Sequence, residues 1–443
     1  MKKLLLSTCI LSLALVPAVA EAKKKPAPPP PPVVRVVPTD PVEAYYYYHN
    51  EAPVWFRSDA TRAAASRLSA ILKRAPIDGF TQGPALAAQV DAAIASAQPG
   101  NAAAIKSAEI TLSRAWVAYM QYLRTPPKGV VYGYAILKPQ ARADQILLTT
   151  AAATDLSAQL DKMADVNPTY RALREAALAS GMTAADTALT SNLERARFLP
   201  AAGRFVIVDI GNAMLTMYEN GQPVDRMKVV VGTPQLQTPM IASIIHYVTL
   251  NPYWNVPPNL IHKTVGPGAL KGGDGYLKPR GYEVMSGWGP NATVMSAAQV
   301  DWQKVIDNPE SLRVRQKPGP ANSMGRLKVP FPSGQDIYLH DTPARDKFKE
   351  ADRHLSNGCI RLEDARRFAR WLMGREPAMS GNDPEQMVQL QTGVPIYLTY
   401  LTAEQGSDGK LAMRKDVYGW DGRPDLQLAA STAYTSVARP ATP

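Results

Sequence analysis

The first regular pattern of apolar positions extends from about residue 43 to residue 198. Apolar residues recur there at intervals of three and four, which is the spacing of one face of an α-helix. Alanine, the strongest helix former, is abundant, and the pairs Asp78-Gly79 and Pro99-Gly100 interrupt the pattern. The clearest segments are 61–74, 85–97, 102–123 and 168–179. The pattern predicts an α-helical domain over residues 43–198.

The period changes near residue 203, where short runs rich in Val, Ile, Thr and Tyr begin and Asn220-Gly221 marks a hairpin. The strand-like segments are 204–210, 214–218, 227–231, 244–250, 336–340 and 395–402. They predict an all-β, sandwich-like domain over residues 199–425. Because residues 257–320 are rich in Gly and Pro and hold few periodic segments, we expect an elaborated lid or loop insertion there. The predicted fold class is therefore α+β, with a helical domain before a β domain.

The N-terminus has the pattern of a secretory signal peptide. Lys2 and Lys3 precede an apolar stretch at 4–16, and small residues at positions 18, 20 and 22 fit a cleavage site. An uncleaved membrane anchor is the alternative. We expect residues 1–22 to be removed and the protein to be exported to the periplasm or cell envelope. A proline-rich tether follows at 23–42, and residues 426–443 are predicted to be a flexible tail.

The charge balance narrows the class of partner. The chain has 49 basic and 38 acidic residues, and removing Lys2, Lys3 and Glu21 with the signal peptide leaves 47 and 37, a net charge of +10. A basic exported protein suits an anionic envelope polymer or lipid headgroups. Export and the lack of dense basic patches with interleaved aromatics argue against nucleic acid. No later apolar run is long enough for a multi-span membrane protein.

The cysteine count gives the sharpest indication of chemistry. Cys9 lies in the predicted signal peptide, so the mature chain keeps only Cys359. One thiol can form neither an internal disulfide nor a cysteine-based metal site, and the five histidines show no metal-binding spacing. The presence of a free thiol in an oxidising compartment requires an explanation. The thiol is either a nucleophile or a small buried hydrophobic residue.

The residues after Cys359 carry a helical pattern. Apolar residues at 362, 365, 368, 369 and 372 fit one helix face, and Gly374 fits its end. We therefore expect Cys359 to lie just before a helix N-terminus, where the helix dipole would lower the pKa of the thiol. Gly358 allows close approach of a substrate, and the amides of Gly358 and Cys359 are candidates for an oxyanion hole.

A cysteine nucleophile also needs a base. His340 ends a strand-like segment nineteen residues before Cys359, whereas His354 is nearer but lies in a charged, loop-like stretch. Spacing in the sequence alone does not show that Cys359 contacts either histidine.

The motif formed by these residues resembles that of the L,D-transpeptidase catalytic domain. In that family a His is followed, after some fifteen residues, by S/T-x-G-C-I/V-R, which matches His340 and the run from Ser356 to Arg361. Further segments resemble the long branch of the family, which carries a helical scaffold domain before the catalytic domain. They are Asn-Pro-Tyr-Trp-Asn-Val-Pro-Pro at 251–258, Arg-Gln-Lys-Pro-Gly-Pro at 315–320, Asn322, Gly325 and Tyr-Leu-His-Asp-Thr-Pro at 338–343.

The resemblance implies a mechanism and a set of site residues. Cys359 would form a thioester with a donor tetrapeptide stem of peptidoglycan, His340 would transfer the proton, and Gly358 would help hold the oxyanion. An amine of an acceptor stem would then give a 3→3 cross-link, with no cofactor, metal or ATP. The backbone carbonyl of Asp341 would orient His340. The residues expected to bind substrate are Arg361, Ser356, Asn357, Asp341, Tyr338, Asn322, Tyr253 and Trp254. For four of them, local packing is the alternative to substrate binding: Arg361, Asn322, Tyr253 and Trp254.

The resemblance leaves several alternatives open. Water as acceptor would make the protein an L,D-carboxypeptidase, and a lipoprotein lysine would make it an anchoring enzyme. A non-catalytic wall-binding or assembly protein is the alternative of another class. Asn357 stands where the family often has His, which bears on substrate preference, and no separate peptidoglycan-binding module is evident. The resemblance also implies inhibition by carbapenems, and envelope-synthesis proteins are conceivable partners.

Overall fold

The computed structural model describes residues 36–183, 185–378 and 383–425. The predicted signal peptide and tail lie outside these residues, as does the predicted tether up to residue 35. Within the described ranges, no helix has both the length and the apolar character needed to cross a bilayer.

The N-terminal region is helical and is organised around its own apolar core. Several helices begin where a side chain accepts a hydrogen bond from the first turn, as Ser58, Asn101 and Asn167 do. The expected segments 102–123 and 168–179 coincide with two of the helices. The helices are α1 (Pro41–Tyr48), α2 (Asp59–Arg74), α3 (Gly83–Ser96), α4 (Ala102–Leu123), α5 (Ala143–Ala151), α6 (Leu156–Ala164), α7 (Pro168–Ala179) and α8 (Thr187–Ala196).

The C-terminal region is built on one large sheet that surrounds a second apolar core. Its order is β1-β5-β10-β11-β13-β4-β3-β2-β14, and the path closes because β14 also pairs with β5. Strand β12 pairs with β4, and helix α12 (Ala365–Met373) covers part of the core. The strands are β1 (Val130–Tyr132), β2 (Phe205–Asp209), β3 (Met214–Glu219), β4 (Gln222–Gly232), β5 (Met240–Leu250), β10 (Leu327–Pro330), β11 (Tyr338–His340), β12 (His354–Ser356), β13 (Ile360–Leu362) and β14 (Gln386–Thr399), followed by a hairpin of β15 (Ala403–Gln405) and β16 (Leu411–Met413).

The helical region contributes a strand to this sheet. Strand β1 leaves the helices and pairs in parallel with the start of β5, with Val130 opposite Met240. Arg195 of α8 is fully buried and donates to Asp421 at 2.7 Å, and Asn192 accepts from the backbone of Thr402 at 2.7 Å. The two regions therefore share hydrogen bonds and a sheet. The sequence did not predict β1, because three residues are too short for a period.

The expectation of a loop-like insertion is wrong in its detail. Residues 254–316 form a small folded unit with its own apolar core, because its apolar residues converge from short elements. Its sheet has the order β6-β9-β7-β8. The elements are β6 (Trp254–Asn255), α9 (Pro258–Leu260), a π-helical turn (Ile261–Val265), α10 (Gly266–Leu277), β7 (Tyr282–Met285), β8 (Val294–Met295), α11 (Trp302–Asp307) and β9 (Arg313–Gln316).

Candidate active site

Two neighbouring parallel strands bring the predicted nucleophile and base together. In β11 and β13, Leu339 lies opposite Ile360 and His340 lies opposite Arg361. Leu339 and Ile360 belong to the apolar core of the large sheet. Because side chains alternate along a strand, His340 and Arg361 lie on the face away from that core. Cys359 immediately precedes β13 and by the same register falls opposite Tyr338, so it lies on the face of His340, two residues before it along β11.

His340 is held in one orientation. It is 3% exposed, and its Nδ1 lies 2.5 Å from the backbone oxygen of Asp341. A carbonyl oxygen only accepts, so Nδ1 carries the proton and Nε2 is the free acceptor of the neutral ring. This is the contact expected for Asp341. Burial, then the positive charge of Arg361 and that of Lys328, lower the pKa of His340 to about 3, against the opposing effect of the Asp341 contact.

Cys359 is half-buried, and its Sγ donates to the backbone oxygen of Asp336 at 3.6 Å. The expectation that it precedes a helix N-terminus is wrong, because β13 follows it and α12 begins only after the Asp364 cap. The helix dipole therefore does not act on the thiol. Burial instead raises the pKa of Cys359, although hydrogen bonds from Tyr338 and the charge of Lys328 oppose this. The two shifts favour the neutral thiol of Cys359 and the neutral imidazole of His340.

The loop before Cys359 is fixed by two hydroxyl groups. Ser356 Oγ accepts from the Gly358 amide at 3.1 Å and donates to the Cys359 carbonyl at 2.6 Å. Thr238 Oγ1 donates to the Gly358 carbonyl at 2.7 Å. Gly358 has φ +109°, which an L side chain rarely adopts. The Gly358 amide is thus already engaged, so of the two amides expected to form an oxyanion hole only that of Cys359 stays a candidate.

Two cationic side chains lie close enough to the pair to act on it electrostatically. Arg361 is half-buried, and burial lowers its pKa while the charge of Cys359 opposes this effect. Lys328 of β10 lies opposite His340, and its Nζ lies 4.2 Å from the ring centre of Tyr338. Sequence reasoning missed Lys328. The alternation of buried and half-buried positions along β10 could have indicated it, because Lys328 is the polar residue between two buried ones in that strand.

Asp341 has a structural role in addition to its carbonyl contact. Its side chain is buried and accepts from Arg345 Nη2 at 2.5 Å and from the Arg326 amide at 2.8 Å. Gly325, with φ +60°, passes so close that an added Cβ would lie 2.3 Å from Asp341 Oδ2. These contacts fix the backbone that holds His340.

Several of the expected substrate contacts are structural residues instead. Asn322 is 1% exposed, and its side chain spans the backbone at Pro252, Gln316, Lys317 and Met324 through four hydrogen bonds of 2.7–3.2 Å. The packing alternative is therefore correct for Asn322.

The aromatic residues expected to bind substrate include one that packs in a core and two that are more accessible. Trp254 packs in the core of the insertion, so packing is correct for it as well. Tyr253 is half-buried, with the Arg315 guanidinium 4.0 Å from its ring centre. Tyr338 packs against the insertion core and lies edge-to-face with His340 at 5.9 Å, so the insertion reaches the site. Asn357 is exposed beside Cys359.

Comparison with known families agrees with this geometry. Residues 203–396 match the family model of the L,D-transpeptidase catalytic domain, and residues 40–176 match that of the Scaffold domain. The chain contains an L,D-transpeptidase catalytic domain. It follows a helical scaffold domain, as the sequence analysis expected.

Individual relatives are distant from this chain in sequence. A Haemophilus influenzae protein named "Putative L,D-transpeptidase" is 26% identical over 395 residues, covering 86% of this chain and 78% of the relative. An L,D-transpeptidase from Mycobacterium smegmatis is 14% identical, with a TM-score of 0.23, 45% of this chain and 59% of that chain covered. The Ldtfm–avibactam carbamoyl enzyme is 10% identical, with a TM-score of 0.22, 46% of this chain and 50% of that chain covered.

Proposed function

We propose that this protein is an exported peptidoglycan L,D-transpeptidase that forms 3→3 cross-links through a thioester on Cys359. The observation that carries the proposal is that two adjacent parallel strands place Cys359 and His340 on the same face of the sheet, away from the core, with Cys359 opposite Tyr338 and His340 two residues further along. The family match supports the reaction class.

The first step transfers an acyl group and a proton. Sγ of Cys359 attacks the carbonyl that joins the third stem residue to the terminal D-Ala, while the thiol proton passes to Nε2 of His340. The carbon–nitrogen bond then breaks, His340 returns the proton to the amine of the leaving D-Ala, and the thioester remains. Because both groups begin neutral, the proton moves only as the sulfur–carbon bond forms, and no stored thiolate is needed.

The surroundings favour the charge that develops in this step. The oxyanion formed at the attacked carbonyl is stabilised by the Cys359 amide and by the positive charges of Arg361 and Lys328. The same charges favour thiolate over thiol, and they oppose an imidazolium at His340. The attraction of the oxyanion for both cations therefore has to exceed their repulsion of the imidazolium.

In the second step, the side-chain amine of an acceptor stem attacks the thioester carbonyl, and His340 accepts the proton of the amine. The carbon–sulfur bond then breaks, the new amide is the 3→3 cross-link, and the proton passes from His340 to the leaving sulfur, which restores the Cys359 thiol. Water or a lipoprotein lysine would give a carboxypeptidase or an anchoring enzyme from the same site. The insertion favours a bulky amine, because its core contacts Tyr338 beside His340 and restricts the access of water.

Purified tetrapeptide muropeptides test the proposal. The mature protein should release D-Ala and yield 3→3 dimers, and mass spectrometry separates these from tripeptides or lysine adducts. Cys359→Ala and His340→Gln should each abolish the products. His246→Gln is the matched control, because His246 is exposed and bonds Tyr134 instead. Unchanged muropeptides with folded wild-type protein, or an active Cys359→Ala, would contradict the proposal.

Covalent labelling distinguishes the proposed enzyme from the alternative of a non-catalytic wall-binding protein. A carbapenem should add its mass to the wild-type protein and leave Cys359→Ala unlabelled. Binding to peptidoglycan sacculi without labelling or turnover would favour the non-catalytic alternative.

Export is a separate part of the proposal and rests on residues 1–22 of the sequence. N-terminal sequencing of protein recovered from the envelope fraction should begin after Ala20 or Ala22. An intact N-terminus in the membrane fraction would favour the anchored alternative.

A further inference from the structure

A cavity of about 490 Å³ lies at the junction between the helical region and the large sheet, and none of its lining residues belongs to the candidate active site. Three cationic side chains line it, Arg124, Lys138 and Arg197. They come from the end of α4, from the segment after β1 and from the end of α8. No acidic residue is among the lining residues.

Arg197 is the most enclosed of the three cations, with 7% of its surface exposed. Its guanidinium donates to the backbone oxygen of Asp78 at 2.6 Å and to that of Tyr122 at 3.5 Å, and it lies 4.3 Å from the Tyr122 ring centre. Its Nε is buried and makes no hydrogen bond to any described residue. Glu194 acts on Arg197 only at a distance beyond that of an ion pair.

Arg124 has even fewer partners. It is half-buried, and its guanidinium donates a hydrogen bond to the sulfur of Met120 at 3.1 Å. Burial lowers the pKa of its guanidinium, which reflects the cost of holding the charge there. Among the described residues, no carboxylate lies within 4 Å of Arg124, Lys138 or Arg197. Of the three cations only Arg197 is buried, and two backbone oxygens and the Tyr122 ring compensate its charge in part. The cluster as a whole therefore keeps a net positive charge that an anion would balance.

The remaining walls of the cavity are apolar. Phe198, Leu199 and Tyr397 belong to a small buried cluster between the two regions. Ile136 also lines the cavity and is 83% exposed among the described residues. The cavity thus joins a cationic end to an apolar wall that continues to solvent.

We propose that this cavity binds an amphipathic anion, with its phosphate group between Arg124 and Arg197 and its alkyl chain on Phe198 and Tyr397. Guanidinium groups match the geometry of phosphate oxygens, and the alkyl chain would cover apolar surface along the route to Ile136. Bound there, the ligand touches both the helical region and the sheet. Lipid headgroups with a single phosphate have this chemistry, as do short alkyl phosphates.

Isothermal titration calorimetry with hexyl phosphate tests the site on the full chain. We expect saturable one-to-one binding, at least tenfold weaker binding of inorganic phosphate, and no binding of neutral hexanol. Arg124→Gln should weaken hexyl phosphate binding at least tenfold. Lys162→Gln, which removes one exposed charge from α6, should change it less than twofold.

Three outcomes would overturn the proposal. They are no saturable binding by the wild-type protein, equal affinity for inorganic phosphate, and unchanged affinity in a folded Arg124→Gln. If Arg124→Gln does not fold, Lys138→Gln serves instead, because Lys138 is exposed at the cavity and its loss should weaken binding at least threefold. An unchanged affinity in Lys138→Gln would then refute the site.

Discussion

Gly325→Ala is the sharpest test of how His340 is positioned. The added Cβ would lie 2.3 Å from Oδ2 and 2.5 Å from Cγ of Asp341, where ordinary contacts begin at 3.4 Å. Asp341 must therefore move by about 1 Å, and its bonds to Arg345 and the Arg326 amide lengthen. Because the backbone oxygen of the same residue holds His340, the imidazole should move with it.

The expected loss is mainly in catalytic rate. A misplacement of about 1 Å at a catalytic group can reduce the rate about 100-fold, so we expect the rate of Cys359 acylation to fall about 10- to 100-fold. The backbone at Gly325 has φ +60°, which adds about 1 kcal/mol of strain for any L residue. That strain affects stability and is not the source of the rate loss.

Gly374→Ala is the matched control. Gly374 has φ +66° and follows α12, but an added Cβ there meets nothing within 4 Å. Both variants should lose about the same stability from the backbone. Only Gly325→Ala should acylate slowly in single-turnover mass spectrometry with a carbapenem. A Gly325→Ala protein that acylates at the wild-type rate would refute the argument that Asp341 positions His340, and equal rate losses in both variants would show that strain alone is responsible.

Three further predictions concern stability, and urea or thermal unfolding measures each. The pKa of His340 lies below its unfolded value of about 6.5, so the unfolded state binds the extra proton and the contribution of His340 to stability falls as pH drops from 6.5 towards 3; between pH 6.5 and pH 5 this contribution should fall by about 1.6 kcal/mol. It is measured as the difference between wild type and His340→Gln, because Asp209, whose pKa burial raises to about 6, acts in the opposite direction. His340→Gln should remove this pH dependence, and an unchanged dependence would contradict it. Asn322→Ala should cost about 2–4 kcal/mol because four hydrogen bonds are lost, whereas a substrate contact would change KM without changing stability. Arg195→Gln should cost about 3–5 kcal/mol because it leaves Asp421 unpaired, and the two regions should then unfold separately; a single unchanged transition would refute this.

The local patterns of the sequence were sufficient for many of the longer regular elements. The 3.6-residue period predicted α4 and α7 to the residue, because capping residues and alanine content act within one turn. The period of two identified most of the long strands. Strand β1 and the short strands of the insertion were missed, since segments of two to four residues show no period and form only against neighbours.

The errors at the site have a different physical origin. The helical pattern after Cys359 is real, but sequence could not tell that β13 comes first, because three residues extend only when β4 and β11 offer partners. The direction of the thiol pKa was wrong for this reason. Trp254 and Asn322 stood in a motif-like run, and only packing showed that they build the insertion rather than bind a substrate.

By itself, the sequence determined the chemistry that is possible: one thiol outside the predicted signal peptide, a histidine that ends a strand, and the order of helical and β regions. These depend on residue identity and on interactions between near neighbours in the chain. The tertiary structure decided which groups meet and in what state, from the neutral thiol and imidazole to the fixed Asp341 backbone and the Lys328 charge. Burial and long-range pairing set those properties, and both depend on residues that are distant in the chain.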